Sequence, residues 1–268
     1  MFERITSLQN ERVKAIRALD MRKTRKDTGL FVAEGVSILM TAREHGFVPA
    51  SLVVGPEGAA TRAASDYLHW AHAGGADVLD VSAGVLEKLA AKDNPQSMLG
   101  VFRQRWLEGP QPSTVPTAAF WIVLEGIRDP GNLGTILRTA DAVGAAGVML
   151  VGQTCDPFSR EAVRATMGSI FAVPLVKLDQ TAFLTLLSAW PGDTVATHLS
   201  ATLDFRAARP RGPVLLVMGA EGPGLNDVTR AACSLAVKIP MAGGVDSFNL
   251  AIATALVAYQ LQGATLKA

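Results

Sequence analysis

Three stretches of this chain place polar residues at intervals that suit chemistry better than packing. In LEGIRDPGNLGTILR, residues 124–138, a strand-like apolar run ends at Gly126, turns through Asp129, Pro130 and Gly131, and resumes at helical spacing. Asn132 is expected as the helix N-cap, its side-chain oxygen taking an unpaired backbone N–H. Leu133, Ile136, Leu137 and Ala140 face a core, and Arg138 falls off that stripe near the mouth of the strand ends. On these residues alone, Arg138 is either a site residue or a solvent-facing arginine. VLLVMGAEGPGLN, residues 214–226, runs an apolar strand into Gly219, Glu221, Gly222 and Gly224. Glycines there let backbone approach a ligand where a Cβ would collide. The loop lacks GK[ST] and the intervals of GxGxxG. Its acidic residue argues against a phosphate ligand and for a cationic or hydroxyl-rich one.

The third stretch is KIPMAGGVDSFNLAIATALVAYQ, residues 238–260. A strand stops at Pro240, a Gly243-Gly244 loop follows, and Asp246 or Ser247 is expected to cap a long apolar helix. Ser247 and Asn249 stand at the helix start, where flanking main-chain groups could cradle an adenine or ribose; the plainer reading is one cap and one exposed amide.

These loops need a scaffold. Strands are expected at FWIVLEG, GVMLVG, VPLVKL, DTVATHL, VLLVMG and LAVKIPM, with helices at residues 133–145, 159–170, 181–190, 225–233 and 248–262 between most of them. Alternation of apolar strands with helices implies an α/β domain with a mostly parallel sheet covered on both faces, whose ligands gather at the carboxyl ends of the strands. The first half reads as a smaller α/β sandwich. It has helices near 10–20, 36–45, 61–73 and 83–91, and strands at SLVVG, ADVLDV and MLGVFRQ. Proline-rich residues 108–117 form the expected linker, leaving domains of 1–107 and 118–268.

Of 268 residues, 49% are hydrophobic and 18% charged, the balance of a globular chain. No apolar run approaches the roughly 18–20 residues of a membrane span, and charges fill the opening where a signal peptide would be apolar. A cytoplasmic protein without a membrane partner is expected. The two cysteines are far apart and His69 and His72 have no third ligand in sight, so no metal is expected. The net charge of +1 hides a basic start: residues 1–30 hold eight Lys and Arg against four Asp and Glu. RKTRK, with Arg22, Lys23, Arg25 and Lys26, is either a phosphate-contacting surface or a solvated helix face.

Taken together, N-x-G-x-x-x-R, M-G-A-E-G-x-G-L and I-P-M-x-G-x-x-x-S-x-N resemble the three motifs of SpoU/TrmH-type RNA ribose 2′-O-methyltransferases, within the SPOUT superfamily. The first half is similar to that family's N-terminal RNA-binding module through SLQNERVKAIRAL and RKTRKDTGLFVAEG. The resemblance implies a C-terminal trefoil knot, a homodimer, S-adenosylmethionine as cofactor and methyl transfer to a ribose 2′-hydroxyl of RNA. Large-subunit rRNA is the favoured substrate, ahead of tRNA. Arg138 matches the family's catalytic arginine, with Asn132, Glu221, Ser247 and Asn249 orienting ribose, loops and donor. Gly219, Ile239, Met241, Gly243 and Phe248 fall to the cofactor, the last where the family commonly has Leu. His198 is a second candidate for proton transfer, since an unperturbed imidazole pKa of about 6.5 suits that role. Arg164 joins the basic segment as an RNA-contact candidate. Base-nitrogen methylation and a non-catalytic RNA-binding or assembly protein are the rival readings.

Overall fold

The computed structural model describes residues 4–90 and 96–262, which form two compact units. The first comprises Met1–Gln104 with Asp156–Ala172, and the second Arg105–Cys155 with Val173–Ala268. Among the described residues no helix is long and apolar enough to cross a membrane.

In the first unit the chain forms α1 (Glu11–Ala18), α2 (Arg22–Thr28), β1 (Leu30–Glu34), α3 (Val36–Glu44), β2 (Ser51–Val54), α4 (Arg62–Ala73), β3 (Asp77–Asp80), α5 (Ala83–Ala90) and β4 (Met98–Arg103). The sheet order is β1-β4-β2-β3, with β4 antiparallel to both neighbours and β2 parallel to β3. Val13 and Ile16 of α1 pack with Val85, Leu86 and Leu89 of α5 against Val53, Leu79, Leu99 and Val101 of the sheet. α2 and β1 are additional to the elements expected from the sequence. A polar seven-residue helix has no apolar period to announce it, and β1 is buried at four of its five positions, so it shows no alternation.

The second unit opens with β5 (Phe120–Glu125), α6 (Pro130–Ala142) and β6 (Gly147–Val151). The chain then crosses to the first unit as α7 (Arg160–Thr166) and α8 (Ser169–Ala172). It resumes the second unit with β7 (Leu175–Leu178), α9 (Gln180–Ala189), β8 (Thr194–Thr197), β9 (Leu203–Asp204), β10 (Val214–Met218), α10 (Asp227–Ala232), β11 (Leu235–Lys238) and α11 (Leu250–Gln262). A single turn of 3-10 helix, Pro112–Thr114, lies in the stretch expected as a linker.

Residues 156–172 lie by number within the expected C-terminal domain but belong to the first unit. Aromatic packing accounts for this: Phe158 stands 4.9 Å from Phe31, and Phe171 4.8 Å from Phe102 and 5.0 Å from Phe47. Three ion pairs join the same segment to the rest of that unit, Arg25–Asp156 at 2.8 Å, Arg164–Glu34 at 2.9 Å and Arg160–Asp20. One helix was expected over 159–170. It is broken at Met167 and Gly168, whose φ values of 52° and 110° lie in the left-handed region.

The seven-stranded sheet has the order β7-β6-β5-β10-β8-β11-β9, and every pairing in it is parallel. β5 is buried at all six positions, as a strand covered on both faces must be. Trp121 and Val123 face Phe183 and Leu187 of α9, while α6 and α11 pack against each other. From β5 the chain steps outward to β6 and β7, then resumes on the far side of β10 with β8. That reversal puts the ends of β5, β10, β8 and β11 side by side along one edge, the outer two about 14 Å apart at ordinary strand spacing.

Candidate active site

Three loops leave this edge. The first follows β5, and its helix is capped by Asp129, whose carboxylate accepts the Asn132 N–H at 2.6 Å. Asn132 is therefore not the cap: Pro130 takes the first helical position, where its missing N–H costs nothing. This frees the Asn132 side chain. Its Nδ2 donates to Glu221 Oε1 at 2.9 Å, and its Oδ1 accepts from Asn249 Nδ2 at 2.9 Å. Glu221 Oε2 also accepts the Arg128 N–H at 3.4 Å.

The second loop, residues 219–226, folds back on itself through a bridge between Ala220 and Gly224. A Cβ on Gly219 would overlap the Gly224 carbonyl carbon and the Leu225 nitrogen. The glycine thus serves the loop's own closure first, a reason different from the ligand approach expected. Glu221 projects from the closed loop toward Asn132.

The third loop ends at α11, and here too the cap differs from expectation. Asn249 Oδ1 accepts the N–H groups of Ala251 and Ile252 at 2.9 and 3.3 Å, so Asn249 caps the helix in place of Asp246 or Ser247. With its oxygen committed to the helix, its amide must donate outward. That fixes Asn132 as acceptor on one side and donor on the other, and Glu221 as terminal acceptor. Motif residues from three loops are locked in one polar chain.

Beside this chain lies a cavity of about 430 Å³, within the range of small-molecule sites. Gly219, Ile239, Met241 and Phe248 line it, together with Glu221, Ser247, Asn249, His198 and Lys238. Gly243 does not, and neither Asn132 nor Arg138 is among the lining residues. Arg138 is exposed on α6 and has no polar partner among the described residues. His198 Nδ1 lies 2.7 Å from the Ser200 hydroxyl and accepts the Ser200 N–H at 3.1 Å. Both contacts tie Nδ1 to the residue two positions along the chain. Burial pushes the Cys233 thiol up to about 11, against a hydrogen bond with Thr194 that lowers it and with the nearby Glu125 carboxylate adding to the rise, which favours the thiol over the thiolate.

Glu125 was passed over in the sequence as the end of an apolar run. It is buried, and its two oxygens accept from the Asn226 N–H at 2.9 Å and the Thr229 hydroxyl at 2.7 Å. A carboxylate closing a fully buried strand was the available signal.

In the first unit, Arg22, Lys23 and Lys26 are exposed on α2. Arg25 is buried, its guanidinium bound to Asp156 and to the carbonyls of Leu19 and Asp20, so it cannot reach a phosphate. Arg164 gives its Nη2 to Glu34 and to the Ala90 carbonyl at 2.7 Å, with its side chain still 40% exposed. Of the expected RNA contacts, burial rules out Arg25.

Residues 119–259 match the model of the SpoU rRNA Methylase family, and residues 10–100 that of an MRM3-like substrate binding domain. An uncharacterised tRNA/rRNA methyltransferase of Synechocystis is 32% identical over 96% of this chain and 92% of its own length. The 23S rRNA (guanosine(2553)-2′-O)-methyltransferase RlmP of Bacillus subtilis is 27% identical over 97% of this chain and all of its own. A crystal structure of an AdoMet-bound rRNA methyltransferase from Sinorhizobium meliloti superposes with a TM-score of 0.90 at 40% identity, covering 99% of each chain. With its three loops joined at one sheet edge and more than half its length matching the family model, this chain belongs to the SpoU rRNA methylase family.

Proposed function

We propose that this protein transfers a methyl group from S-adenosylmethionine to the ribose 2′-hydroxyl of a nucleotide in large-subunit rRNA, working as a homodimer. The observation that carries the reading is the chain Glu221–Asn132–Asn249 beside the cavity. The cavity suits the cofactor: Ile239, Met241 and Phe248 offer apolar wall to an adenine, and the Glu221 carboxylate complements a cation. When bound, the cofactor supplies an electrophilic methyl on a sulfonium.

The chain's own residues must then align a hydroxyl with that methyl and ease the loss of its proton. A guanidinium stays protonated at any working pH, so Arg138 is not the base. It clamps the phosphate beside the target ribose and stabilises the oxygen as negative charge develops there. The proton leaves to that phosphate or to water. Asn132 and Glu221 hold the loops in register, and Ser247 and Asn249 orient the ribose and the donor. Arg22, Lys23 and Lys26 of α2 contact RNA backbone from the first unit.

Several features support the dimer and the family's knot. α11 packs on α6 by one side and exposes Ile252, Leu256 and Tyr259 at i, i+4 and i+7 on another. A helix apolar on all sides calls for cover on all sides. Arg138, exposed and absent from its own chain's cavity lining, acts on the partner's cavity. The C-terminal segment threads as a trefoil knot, which the return of α11 onto α6 from the remote β11 accommodates.

The test is methyl transfer from labelled S-adenosylmethionine to deproteinised rRNA, with ribose methylation mapped by resistance to alkaline cleavage. One protected linkage in large-subunit rRNA is expected. Arg138→Ala should lower kcat by about 10²–10³-fold with donor affinity unchanged. A label found on a base, or an Arg138→Ala enzyme at wild-type rate, would refute the reading.

A further inference from the structure

Glu125 takes no part in the chain of motif residues, yet it ends β5 at the same sheet edge and is buried with two donors on it. Both donors belong to one small piece of structure. Asn226 closes the glycine-rich loop and caps α10, and Thr229 is the fully buried residue of that helix. Thr229 is held from the other side by Gln180 Nε2 of α9 at 2.8 Å. Its hydroxyl therefore accepts from Gln180 and gives its proton to Glu125. The entrance of the loop is fixed by β10 and its neck by the contact between Gly219 and Leu225. Its exit is fixed by Glu125.

We propose that Glu125 is a positioning residue for the methyl-donor cavity, holding loop 219–226 in the one arrangement in which Glu221 meets Asn132 and the loop forms the cavity wall. The inference rests on the functional reading above and extends it to a residue outside the three motifs. A carboxylate is required because both positions must accept. In Glu125→Gln, the amide turned one way sets its NH2 against the Asn226 N–H. Turned the other way, it faces the Thr229 hydroxyl, whose proton then loses its acceptor.

Losing this anchor leaves the loop competent only part of the time. Apparent donor affinity falls by the competent fraction, whereas saturating donor restores the arrangement. A positioning role thus divides KM from kcat, as mere loss of stability does not. In the full-length protein, Glu125→Gln and Thr229→Val should each raise the dissociation constant for S-adenosylmethionine, by calorimetry without RNA, about tenfold. The kcat at saturating donor should stay within about threefold of wild type. Thr229→Ser keeps the hydroxyl and should bind as wild type does. Asp156→Asn, which disturbs the buried pair in the other unit, should lower the melting temperature and leave the constant unchanged. The proposal is overturned if Glu125→Gln and Thr229→Val melt lower but bind the donor like wild type, or if Thr229→Ser is as weak as Thr229→Val. Should Glu125→Gln not fold, the two Thr229 variants decide alone. Failure of the wild-type protein to bind the donor would sink the functional reading, and this inference with it.

Discussion

Arg25 and Lys26 are neighbours in one basic helix and meet opposite fates. Lys26 is exposed, as are Arg22 and Lys23, while Arg25 turns inward to a carboxylate and two carbonyls. The run RKTRK does not distinguish them, because a buried arginine is recognised only by its partners, and Asp156 lies 131 positions away. A guanidinium tolerates this burial because its five donors can all be directed at fixed acceptors. Removing it leaves Asp156, 13% exposed at its side chain, without its cation. Arg25→Ala should therefore cost about 3–5 kcal/mol in urea unfolding while the salt dependence of RNA binding is retained. Single alanine substitutions at Arg22, Lys23 or Lys26 should do the reverse. Each should leave stability within about 0.5 kcal/mol and lower the slope of log K against log salt by about one unit or less. Equal slopes in all four variants would remove α2 from the RNA surface.

At the scale of elements, apolar runs made the strands of the second unit legible, since a strand buried on both faces can be little else at that length. Helix starts were less so. Asp129 and Asn132 are both good caps, as are Asp246, Ser247 and Asn249, and local preference does not choose among neighbours of one type. Tertiary demand does: the Asn249 oxygen must face α11 for its amide to reach Asn132. The glycine-rich loop shows the same limit, for its glycines were legible and its self-closure was not. Gly219→Ala tests the closure, because the added methyl meets backbone on the far side of the loop and no flexible side chain can yield. The loop must open to admit it. Donor binding by calorimetry should weaken beyond detection, and far-ultraviolet circular dichroism should be unchanged because β10 and α10 keep their own hydrogen bonds. Wild-type affinity in this variant would mean that the closed loop is not the cavity wall.

For the molecule as a whole, the unresolved balance is between a complete cavity and an arginine that does not line it. Asn132 lies in the first turn of α6 and Arg138 follows six residues on, more than one and a half turns, so the same helix gives one side chain to its own chain's polar network and another to solvent. A two-fold dimer built on the exposed stripe of α11, which packs against α6, would carry that arginine toward a second chain. Complementation separates this arrangement from one in which each chain is self-sufficient. In such a dimer an Arg138→Ala protomer keeps its cavity and a Gly219→Ala protomer keeps its arginine, and each homodimer should be inactive. After random exchange of subunits half the dimers are mixed, and a mixed dimer has one intact cavity facing one intact arginine. Methyl transfer should return to about a quarter of the wild-type level for arginine acting across the interface, and stay at background for arginine acting within its own chain. Leu256→Glu places a charge on the stripe and should yield monomers by sedimentation, abolishing the recovery. Dimers that persist in Leu256→Glu and still recover activity would show that the interface lies elsewhere, and no recovery in the unmodified mixture would return Arg138 to its own cavity.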